Sequence, residues 1–378
     1  MTSPKPTKPE DSLGPFREKI DRIDSEILSL LHDRAKCVLR VGKLKQEDRL
    51  ASVYVPRRER DIFERLAVES DGPFPASAIP AVFREIISAC RSLETPLGIA
   101  YLGPPASFCH QAALLKFGNS ANFYPCESFS EVFRVVEKGE CHYGVVAIRN
   151  STHGVIPETL DNFQRSSLQI YAETHLDIRH QFLSISKPDE ILRIYSHGHA
   201  FPQCREWLEK HYGRCELREV ASTSIGAQMA SREPGTAAIA SALASKIYMI
   251  PILFPNIEDR THNTTRFVVV GNDSERPTGR DKTSMIAHLR NRPGALFGAL
   301  EPFRDSGINL THIDSRPTKA EQWEYLFFIE FEGHVEEERV QRALEKLRDH
   351  CLHLKLLGSY PDEEQSRSVA KSAPGVED

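Results

Sequence analysis

The spacing of apolar residues divides the chain into three blocks with different patterns. Residues 11–95 show helical spacing almost throughout, and residues 98–272 alternate short apolar runs with helical stretches. Residues 283–360 run strand, helix, strand, strand, helix, strand. A polar stretch, 272–282, separates the last two blocks and is typical of a linker. The pattern predicts a multidomain protein: an all-α domain, a two-lobed α/β domain and an α+β domain of βαββαβ order.

We expect three helices in the first block. The first should run from about residue 13 to residue 47, which is long for a globular domain. The second begins at Pro56, since proline is favoured in a first helical turn. The third carries an apolar stripe that ends on Glu94. Charged residues crowd the start of the second helix, and alone they would be typical of a solvated helix terminus.

A stripe of regularly spaced residues follows the first predicted helix. Its apolar members recur every seven positions, a spacing that drifts by only about 20° per step; they are Ile20, Ile27 and Val41. Arg34 and Lys45 fall on the same stripe. One such cation can pack its stem and keep its head in water. Two of them, 11 residues apart, predict an inward-facing basic pocket.

Composition excludes several classes of protein. A length of 378 residues predicts two or three domains, and a net charge of −5 lacks the basic excess of bulk nucleic-acid binders. No apolar run approaches the roughly 18–20 residues of a membrane span, and the N-terminus lacks the apolar segment of a secretory signal. Eight scattered cysteines without a C-x-x-C pair favour reduced thiols. We therefore expect a cytoplasmic protein.

The central block lacks the common motifs of nucleotide and metal sites. Phosphate-loop, G-x-G-x-x-G and H-E-x-x-H patterns are all absent. His197 and His199 imitate a ligand pair, but no third ligand accompanies them. A helix that begins at Ser107 could hold an anion at its N-terminus, although an ordinary strand–helix connection is the simpler interpretation. We expect no cofactor and no metal.

Four segments of the helical block form a recognisable set: FREKI (16–20), LLHDRAKCVLRVGKLK (30–45), PRRERDIFERL (56–66) and FREIISACRSLE (83–94). Together they resemble the all-helical chorismate mutase family. The resemblance implies a first helix shared across a dimer, with Arg17 reaching the partner's site. Val55 stands where some members have Asp, and Cys90 where some have Ser. The active-site residues that the resemblance implies are Arg17, Arg34, Lys45, Arg58, Glu59 and Glu94.

The chemistry implied by this resemblance explains the residue types. Conversion of chorismate to prephenate is an intramolecular rearrangement, so the protein has to hold a dicarboxylate and stabilise charge on the ether oxygen. Arg17 and Arg34 suit the carboxylates, because guanidinium groups bind them bidentately. Lys45 can donate to the ether oxygen, and Glu59 can accept from the substrate hydroxyl. Glu94 stands where many members have Gln. Since only a protonated carboxyl donates a hydrogen bond, we expect mutase activity to decline as pH rises through neutral.

An ordered set of motifs runs through the central block: YLGPPASFCHQAA (101–113), GVVAIRNSTHG (144–154), YSHGHAFPQC (195–204), STS (222–224), AAIAS (237–241) and NTTRF (263–267). Together they resemble prephenate dehydratase, which implies two α/β lobes with the site in the cleft between them. The family's signature threonine falls on Thr265. The other cleft residues that the resemblance implies are Ser107, Asn150, Ser151, His197, Gln203, Ser222 and Thr223.

The central block departs from the family pattern at three points. Pro-Ile-Glu-Asn-Ser has become Ala-Ile-Arg-Asn-Ser, so Arg149 replaces a carboxylate and could bind a substrate carboxylate instead. Ala106, after Pro105, replaces a glycine and could restrict the first loop if that loop requires a positive φ. His199 replaces a common Gln. Two interpretations follow: turnover persists around Thr265, or the block is a degenerate dehydratase retained as structure.

Three segments of the last block complete the pattern: RPGALF (292–297), DSRP (314–317) and WEYLFFIEFEG (323–333). They resemble the ACT domain attached to prephenate dehydratases, which binds phenylalanine at a subunit interface. The residues implied in effector binding are Gly294, Ala295, Leu296, Asp314, Ser315, Arg316 and Pro317. Asp314 is one methylene shorter than the family's Glu. A small-residue helix start and a strand ending at proline would explain the same residues without an effector.

The resemblances together imply a bifunctional enzyme of phenylalanine biosynthesis. It would convert chorismate to prephenate and prephenate to phenylpyruvate, with phenylalanine as feedback inhibitor, in a homo-oligomer of two or more chains. An alternative, motivated by Arg149, is an active mutase joined to an impaired dehydratase-like domain that responds to phenylalanine. A third hypothesis treats the α/β block as a binding module for a small acid or amino acid, similar to solute-binding folds.

Overall fold

The computed structural model describes residues 9–48, 54–290, 292–317 and 325–363. Within these ranges no helix is both long and apolar enough to cross a membrane. The helices are α1 (Pro9–Asp48), α2 (Pro56–Glu69), α3 (Ile79–Glu94), α4 (Phe108–Phe117), α5 (Phe129–Glu137), α6 (Pro157–Arg165), α7 (Arg205–Tyr212), α8 (Thr223–Ala230), α9 (Ala242–Tyr248), α10 (Ala295–Asp305) and α11 (Glu338–Arg348). The strands are β1 (Gly98–Leu102), β2 (Asn122–Cys126), β3 (Tyr143–Asn150), β4 (Gly154–Val155), β5 (Gln169–Asp177), β6 (Gln181–Leu183), β7 (Arg193–Ser196), β8 (Glu216–Glu219), β9 (Thr236–Ala240), β10 (Ile252–Phe254), β11 (Thr264–Gly271), β12 (Asp281–Leu289), β13 (Leu310–Pro317), β14 (Tyr325–Glu332) and β15 (Cys351–Pro361).

The three N-terminal helices form the predicted all-α block. Helix α1 has 40 residues, about 60 Å at 1.5 Å per residue, whereas α2 and α3 have 14 and 16. Its C-terminal half packs on α3, with Val38 half-buried and Gly42 buried. A Cβ on Gly42 would lie 2.8 Å from Cγ of Glu94, so glycine permits this close approach. The shorter helices cannot cover the rest of α1.

The apolar residues of the stripe on α1 are therefore exposed within one chain. Ile20, Ile27 and Val41 are 55 %, 49 % and 47 % exposed. The sequence pattern records an apolar face without saying whether the same chain or a second one covers it. Leu30 and Leu44, at 68 % and 64 % exposed, extend the same uncovered apolar surface.

The central block folds into two α/β lobes, as predicted. In the first lobe the strand order is β2-β1-β3-β11-β5, with β4 paired to β3. Strands β1, β2 and β3 are parallel, and β11 runs antiparallel to both β3 and β5. In the second lobe the order is β10-β6-β9-β7-β8. The chain passes from the first lobe to the second after β5 and returns through β11, so β11 begins where the lobes meet.

The C-terminal block forms an antiparallel sheet of order β13-β14-β12-β15, which is the predicted βαββαβ fold. Helices α10 and α11 contribute to a core on one face of the sheet. The other face packs against the central sheet, where Phe328 and Leu357 share a core cluster with Val146 and Val268. Gly358 in β15 allows this approach, because a Cβ there would overlap the backbone of the central strand β5.

The helical block is anchored in the core of the first lobe. Tyr54, just before α2, is 0 % exposed and packs against Phe117, Tyr143 and Tyr171, with ring centroids 4.9, 5.6 and 5.9 Å away. The hydroxyl of Tyr171 donates to the carbonyl oxygen of Tyr54 at 2.8 Å. The guanidinium of Arg91 in α3 lies 5.1 Å above the Tyr54 ring, within the range of a cation–π interaction. The two blocks thus share one packed interior.

The predicted linker, 272–282, is only partly a linker. Glu275 is 7 % exposed and accepts a hydrogen bond from the backbone N–H of Arg57 at 3.1 Å. Asp281 and Lys282 are buried and already belong to β12. Polarity predicted solvent exposure here, but these charged residues are buried because they have charged and hydrogen-bonding partners in the neighbouring domains.

Candidate active sites and effector site

Arg34 and Lys45 face inward on α1, as the stripe predicted. The ammonium nitrogen of Lys45 lies 3.1 Å from Oε1 of Glu94, and the Glu94 side chain is 8 % exposed. Arg34 is half-buried, and its Nη1 has no hydrogen-bond partner among the described residues. Within one chain Glu94, the predicted hydrogen-bond donor to substrate, is thus the ion-pair partner of Lys45.

Glu59 has a partner that the sequence analysis did not identify. Its Oε1 accepts from Nη1 of Arg91 at 2.5 Å, and Arg91 also donates from Nη2 to the Phe117 carbonyl at 2.9 Å. Burial raises the pKa of Glu59, although Arg91 and Lys116 oppose the shift. Arg58, the neighbouring residue, is exposed. The contact between α2 and α3 thus holds Glu59 against the first lobe.

A single chain does not assemble the whole predicted mutase site. Arg17 is exposed and lies 17 residues before Arg34 on α1, a distance of about 26 Å along the helix. Of the two positions where the family pattern is not matched, Cys90 is buried and Val55 is half-buried. The inward cations Arg34 and Lys45 share one end of α1, and Arg17 lies near the other.

Thr265 and Asn150 meet where the two lobes join. The residues are paired across β11 and β3, and Nδ2 of Asn150 donates to Oγ1 of Thr265 at 2.8 Å. The other hydrogen on Nδ2 goes to Oδ1 of Asn263, also at 2.8 Å. Backbone N–H groups of Thr152 and His153 donate to Oδ1 of Asn150 at 2.8 and 3.0 Å. These contacts orient the amide, so the Thr265 oxygen accepts from Asn150 and keeps its own proton for donation.

A chain of amides extends this site into the second lobe. Nδ2 of Asn263 donates to Oε1 of Gln203 at 2.7 Å, and Nε2 of His180 lies 2.8 Å from the same oxygen. Burial lowers the pKa of His180, which favours a neutral ring that donates from Nε2. Gln203 was predicted as a site residue from the sequence, whereas Asn263 and His180 were not. Asn263 lies within the quoted NTTRF motif, whereas no sequence signal distinguished His180.

The other predicted cleft residues of the central block lie at helix starts or in a loop beside β11. Ser107 caps α4, since its Oγ accepts from the backbone N–H of His110 at 3.2 Å, and Ser222 caps α8 in the same way. Thr223 is the first residue of α8, and the next residue, Ser224, donates to the carbonyl of Pro105 beside the start of α4. The two helix starts therefore lie close together, across the junction of the lobes. Ser151 is exposed and pairs through its backbone with the residue before Thr265.

Ala106, which replaces a glycine of the family pattern, adopts a backbone conformation with positive φ. Its φ is +68°, in the region where a side chain costs about 1–2 kcal/mol. Ala106 is 0 % exposed, and its carbonyl accepts from Oγ of Ser241 at 3.0 Å. The loop is thus held in place by the second lobe despite the strain.

Arg149 does not face the predicted cleft. Its Nη1 lies 3.3 Å from Nδ1 of His312 in the C-terminal sheet. The register of β3 on β11 shifts so that Arg266 pairs with Arg149 but Phe267 pairs with Ala147. This bulge reverses the usual alternation of side chains. The prediction that Arg149 binds a substrate carboxylate is therefore wrong for this structure, and the alternative of an impaired dehydratase loses the observation that motivated it.

His197 and His199 are the two histidines that the sequence sets at the spacing of a ligand pair. Among the described residues, no group of three or more His, Cys, Asp or Glu side chains could hold a metal ion. The ring of His199 instead stacks on His153 at 5.6 Å and meets His197 edge-on at 5.0 Å.

The two segments with the predicted effector-binding residues, RPGALF and DSRP, come to the same end of the C-terminal sheet. Pro317 in β13 and Leu289 in β12 both pair with Tyr325 of β14. Gly294, at φ +77°, caps α10 a few residues after Leu289. Ala295 is half-buried and Leu296 is exposed, as is Ser315, while Asp314 is half-buried. Arg316 donates to the carbonyl of Val155 in the first lobe at 3.3 Å. For Pro317 the structure describes the backbone only.

Three family models match the chain, one for each of its three blocks and in the same order. A chorismate mutase type II model matches residues 16–95, a prephenate dehydratase model matches 99–275, and an ACT domain model matches 283–349. A bifunctional chorismate mutase/prephenate dehydratase from Aquifex aeolicus is 45 % identical over 356 residues, which cover 93 % of this chain and 98 % of that protein.

Two solved structures share the fold of the central and C-terminal blocks. A prephenate dehydratase from Arthrobacter aurescens, in complex with L-Phe, has a TM-score of 0.66 and 30 % identity, covering 71 % of this chain and 91 % of its own. GqqA, described as a novel type of quorum quenching acylase, has a TM-score of 0.65 and 28 % identity, covering 71 % of this chain and 99 % of its own. The similarity to the Aquifex protein, unlike that to these two structures, also extends over the helical block.

Proposed function

Since the chain belongs to the bifunctional chorismate mutase/prephenate dehydratase family, we propose that it converts chorismate to prephenate and prephenate to phenylpyruvate. The observation that carries the proposal is the hydrogen bond from Asn150 to Thr265 at the junction of the two lobes. It joins the ends of the quoted GVVAIRNSTHG and NTTRF motifs in one polar site. The inward-facing pair of Lys45 and Glu94 supports the mutase half.

For the mutase we propose that Arg34 binds one substrate carboxylate and that Arg17 of a second chain binds the other. Lys45 donates to the ether oxygen and Glu59 accepts from the hydroxyl, with Arg58 at the rim. Lys45 and Glu94 would both face the ether oxygen of bound substrate, so substrate binding would separate these two side chains.

For the dehydratase we propose that Thr265 donates its hydroxyl proton in a hydrogen bond to the leaving ring hydroxyl. The C–O bond of that hydroxyl breaks as the carboxylate C–C bond gives its electron pair to the ring and carbon dioxide leaves. The hydroxyl departs as water with the proton passed on by Thr265, which takes up a proton from solvent in its place. Asn150 holds Thr265 directly, and Asn263 and Gln203 in turn fix the amide of Asn150. The helix starts at Ser107 and Thr223 provide N–H groups for the substrate carboxylates.

We further propose that phenylalanine is the effector and that it binds between two chains, at the end of the C-terminal sheet where the two predicted segments meet. The residues of that site are Gly294, Ala295, Leu296, Asp314, Ser315, Arg316 and Pro317. The exposed apolar face of α1 supports a homodimer as the minimum assembly. All eight cysteines are free thiols, which supports a cytoplasmic location.

The test is a product assay that follows prephenate and phenylpyruvate separately from chorismate, at a pH where prephenate is not dehydrated by acid. Thr265→Val removes the hydroxyl at nearly constant volume, so we expect prephenate to accumulate while its rate of formation stays unchanged. The mutase rate reports that the variant is folded. Phenylpyruvate formed equally fast by Thr265→Val would exclude this site, and a folded chain that leaves chorismate untouched would exclude the proposed function.

A further inference from the structure

Arg266, the residue after Thr265, points into the interface between the central and C-terminal sheets. Alternate residues of a strand face opposite sides. Thr265 shares its side of β11 with Phe267. Val268 lies on the other side, in the core cluster that contains Phe328 of the C-terminal sheet. Arg266 therefore links the backbone of the proposed catalytic strand to a different domain.

Three side chains hold its guanidinium group. Nε donates to Oε2 of Glu173 in β5 at 2.6 Å. Nη1 and Nη2 donate to the two oxygens of Glu330 in β14 at 2.6 and 2.8 Å. Nη2 also donates to the hydroxyl of Tyr360 in β15 at 2.7 Å. The C-terminal domain thus supplies three of these four hydrogen bonds, and the Glu330 pair is bidentate, which adds geometric specificity as well as energy.

The surroundings exclude water from this contact. The side chains of Arg266, Glu330 and Glu173 are 6 %, 1 % and 0 % exposed. Burial alone would raise the pKa of Glu330, but Arg266 and Lys282 lower it. Lys282 lies 3.5 Å from Glu173 and 3.4 Å from Asp362. A buried guanidinium left without its carboxylate is strongly unfavourable, so β11 and β14 have to move together at this point.

We propose that Arg266 is a positioning residue for the dehydratase reaction, and that Glu330 of the ACT domain holds it in place. This inference rests on the proposed dehydratase function and adds a route for its regulation. An effector that shifts the C-terminal sheet would move Arg266 through Glu330, and with it the Thr265 hydroxyl that Asn150 holds at 2.8 Å. Coupling of this kind requires that the effector bind two states of the sheet differently.

The experiment compares two buried carboxylates of the same ionic cluster. Glu330→Gln keeps the size of the side chain but removes the charge that faces Arg266, whereas Asp362→Asn makes the same change at the partner of Lys282. We expect Glu330→Gln to lower the dehydratase kcat at least about tenfold with the KM for prephenate nearly unchanged, and to weaken inhibition by phenylalanine. Asp362→Asn should stay within about twofold in kcat. The mutase rate of each preparation reports folding.

If Glu330→Gln fails to fold, Ser284→Ala replaces it, because the Ser284 hydroxyl donates to Oε1 of Glu330 at 2.7 Å. A fall of about two- to fivefold in dehydratase kcat is then expected. Equal losses in the Asp362→Asn control, or a wild-type kcat and inhibition in both test variants, would overturn the inference. An unmodified chain that forms prephenate but no phenylpyruvate would instead refute the dehydratase function itself. The product assay from chorismate identifies that result before any variant is made.

Discussion

Arg149 shows that one extra residue in a strand decides which chemistry a side chain can reach. The bulge in β3 leaves Ile148 without a partner in β11, so Arg149 and the core residue Ile148 come to the same face. Asn150 is thereby brought to the face of Thr265. Bulges are common beside active sites for this reason. A linear motif carries no information about a bulge, so the side of β3 to which Arg149 points could not be predicted from the sequence.

The neighbouring residues offer a matched pair of substitutions. Arg149→Gln removes a charge that faces His312 at 3.3 Å, so we expect the dehydratase kcat to stay within about twofold. Asn150→Ala removes the donor to Thr265, and a fall of at least about tenfold is expected. Steady-state rates of phenylpyruvate formation from prephenate measure both. A large loss in Arg149→Gln, with Asn150→Ala nearly normal, would contradict the observed orientation.

At this scale the sequence predicted residue types better than partners. Thr265, Asn150 and Gln203 were identified from their motifs and lie within one hydrogen-bonded chain. His180 was missed, because its role depends on an approach between loops that no spacing encodes. Arg91 was missed for a similar reason: it and Glu59 are 32 residues apart in the sequence and lie on different helices.

Among the elements, β14 is joined to β11 by charged side chains rather than by backbone hydrogen bonds, and the same arginine also binds Glu173 of β5. Burial alone would raise the pKa of Glu173, but Arg266 and Lys282 lower it to about 2 from an ordinary value of 4.5. The folded-state pKa is thus the lower one. The stability that Glu173 contributes is fully present above about pH 4.5 and is lost as pH falls toward 2.

Thermal unfolding can measure this contribution. Glu173→Gln should lower Tm at neutral pH, because Arg266 loses a charged acceptor. The difference in Tm between the variant and the unmodified chain should stay constant down to about pH 4.5 and then narrow. Glu216→Gln, an exposed carboxylate paired with Arg193, is the control. A difference that does not change between pH 7 and pH 3.5 would show that Glu173 is not held as a charged group.

Element boundaries were easier to predict than element surroundings. Helix α1 was expected over about 13–47 and spans Pro9–Asp48, because its helical period is long and unbroken. The apolar face of α1 remains exposed within one chain, and part of the expected linker is buried under neighbouring domains. Both outcomes depend on contacts between distant parts of the chain or between chains, which local periodicity does not report.

For the whole molecule, the position of Arg17 predicts a site made by two chains. Neither Arg17→Ala nor Arg34→Ala should have mutase activity alone. Mixed and reassembled, half of the dimers would contain one chain of each kind, and such a dimer has one intact site of two. We therefore expect about a quarter of the unmodified mutase rate. Two Arg34→Ala preparations mixed in the same way serve as control, and an inactive mixture of shown heterodimers would exclude a shared site.

Tyr54 has a consequence for how such a fusion can be taken apart. The chain joins the helical and central domains near residue 96, yet the ring of Tyr54 completes the aromatic core formed by Phe117, Tyr143 and Tyr171. A gene cut at the apparent junction would leave the second fragment with a hole of one aromatic side chain, a defect of about 3–5 kcal/mol. The covalent boundary and the physical boundary therefore differ. Independent exchange of either half between related genes would require the recipient to supply its own tyrosine.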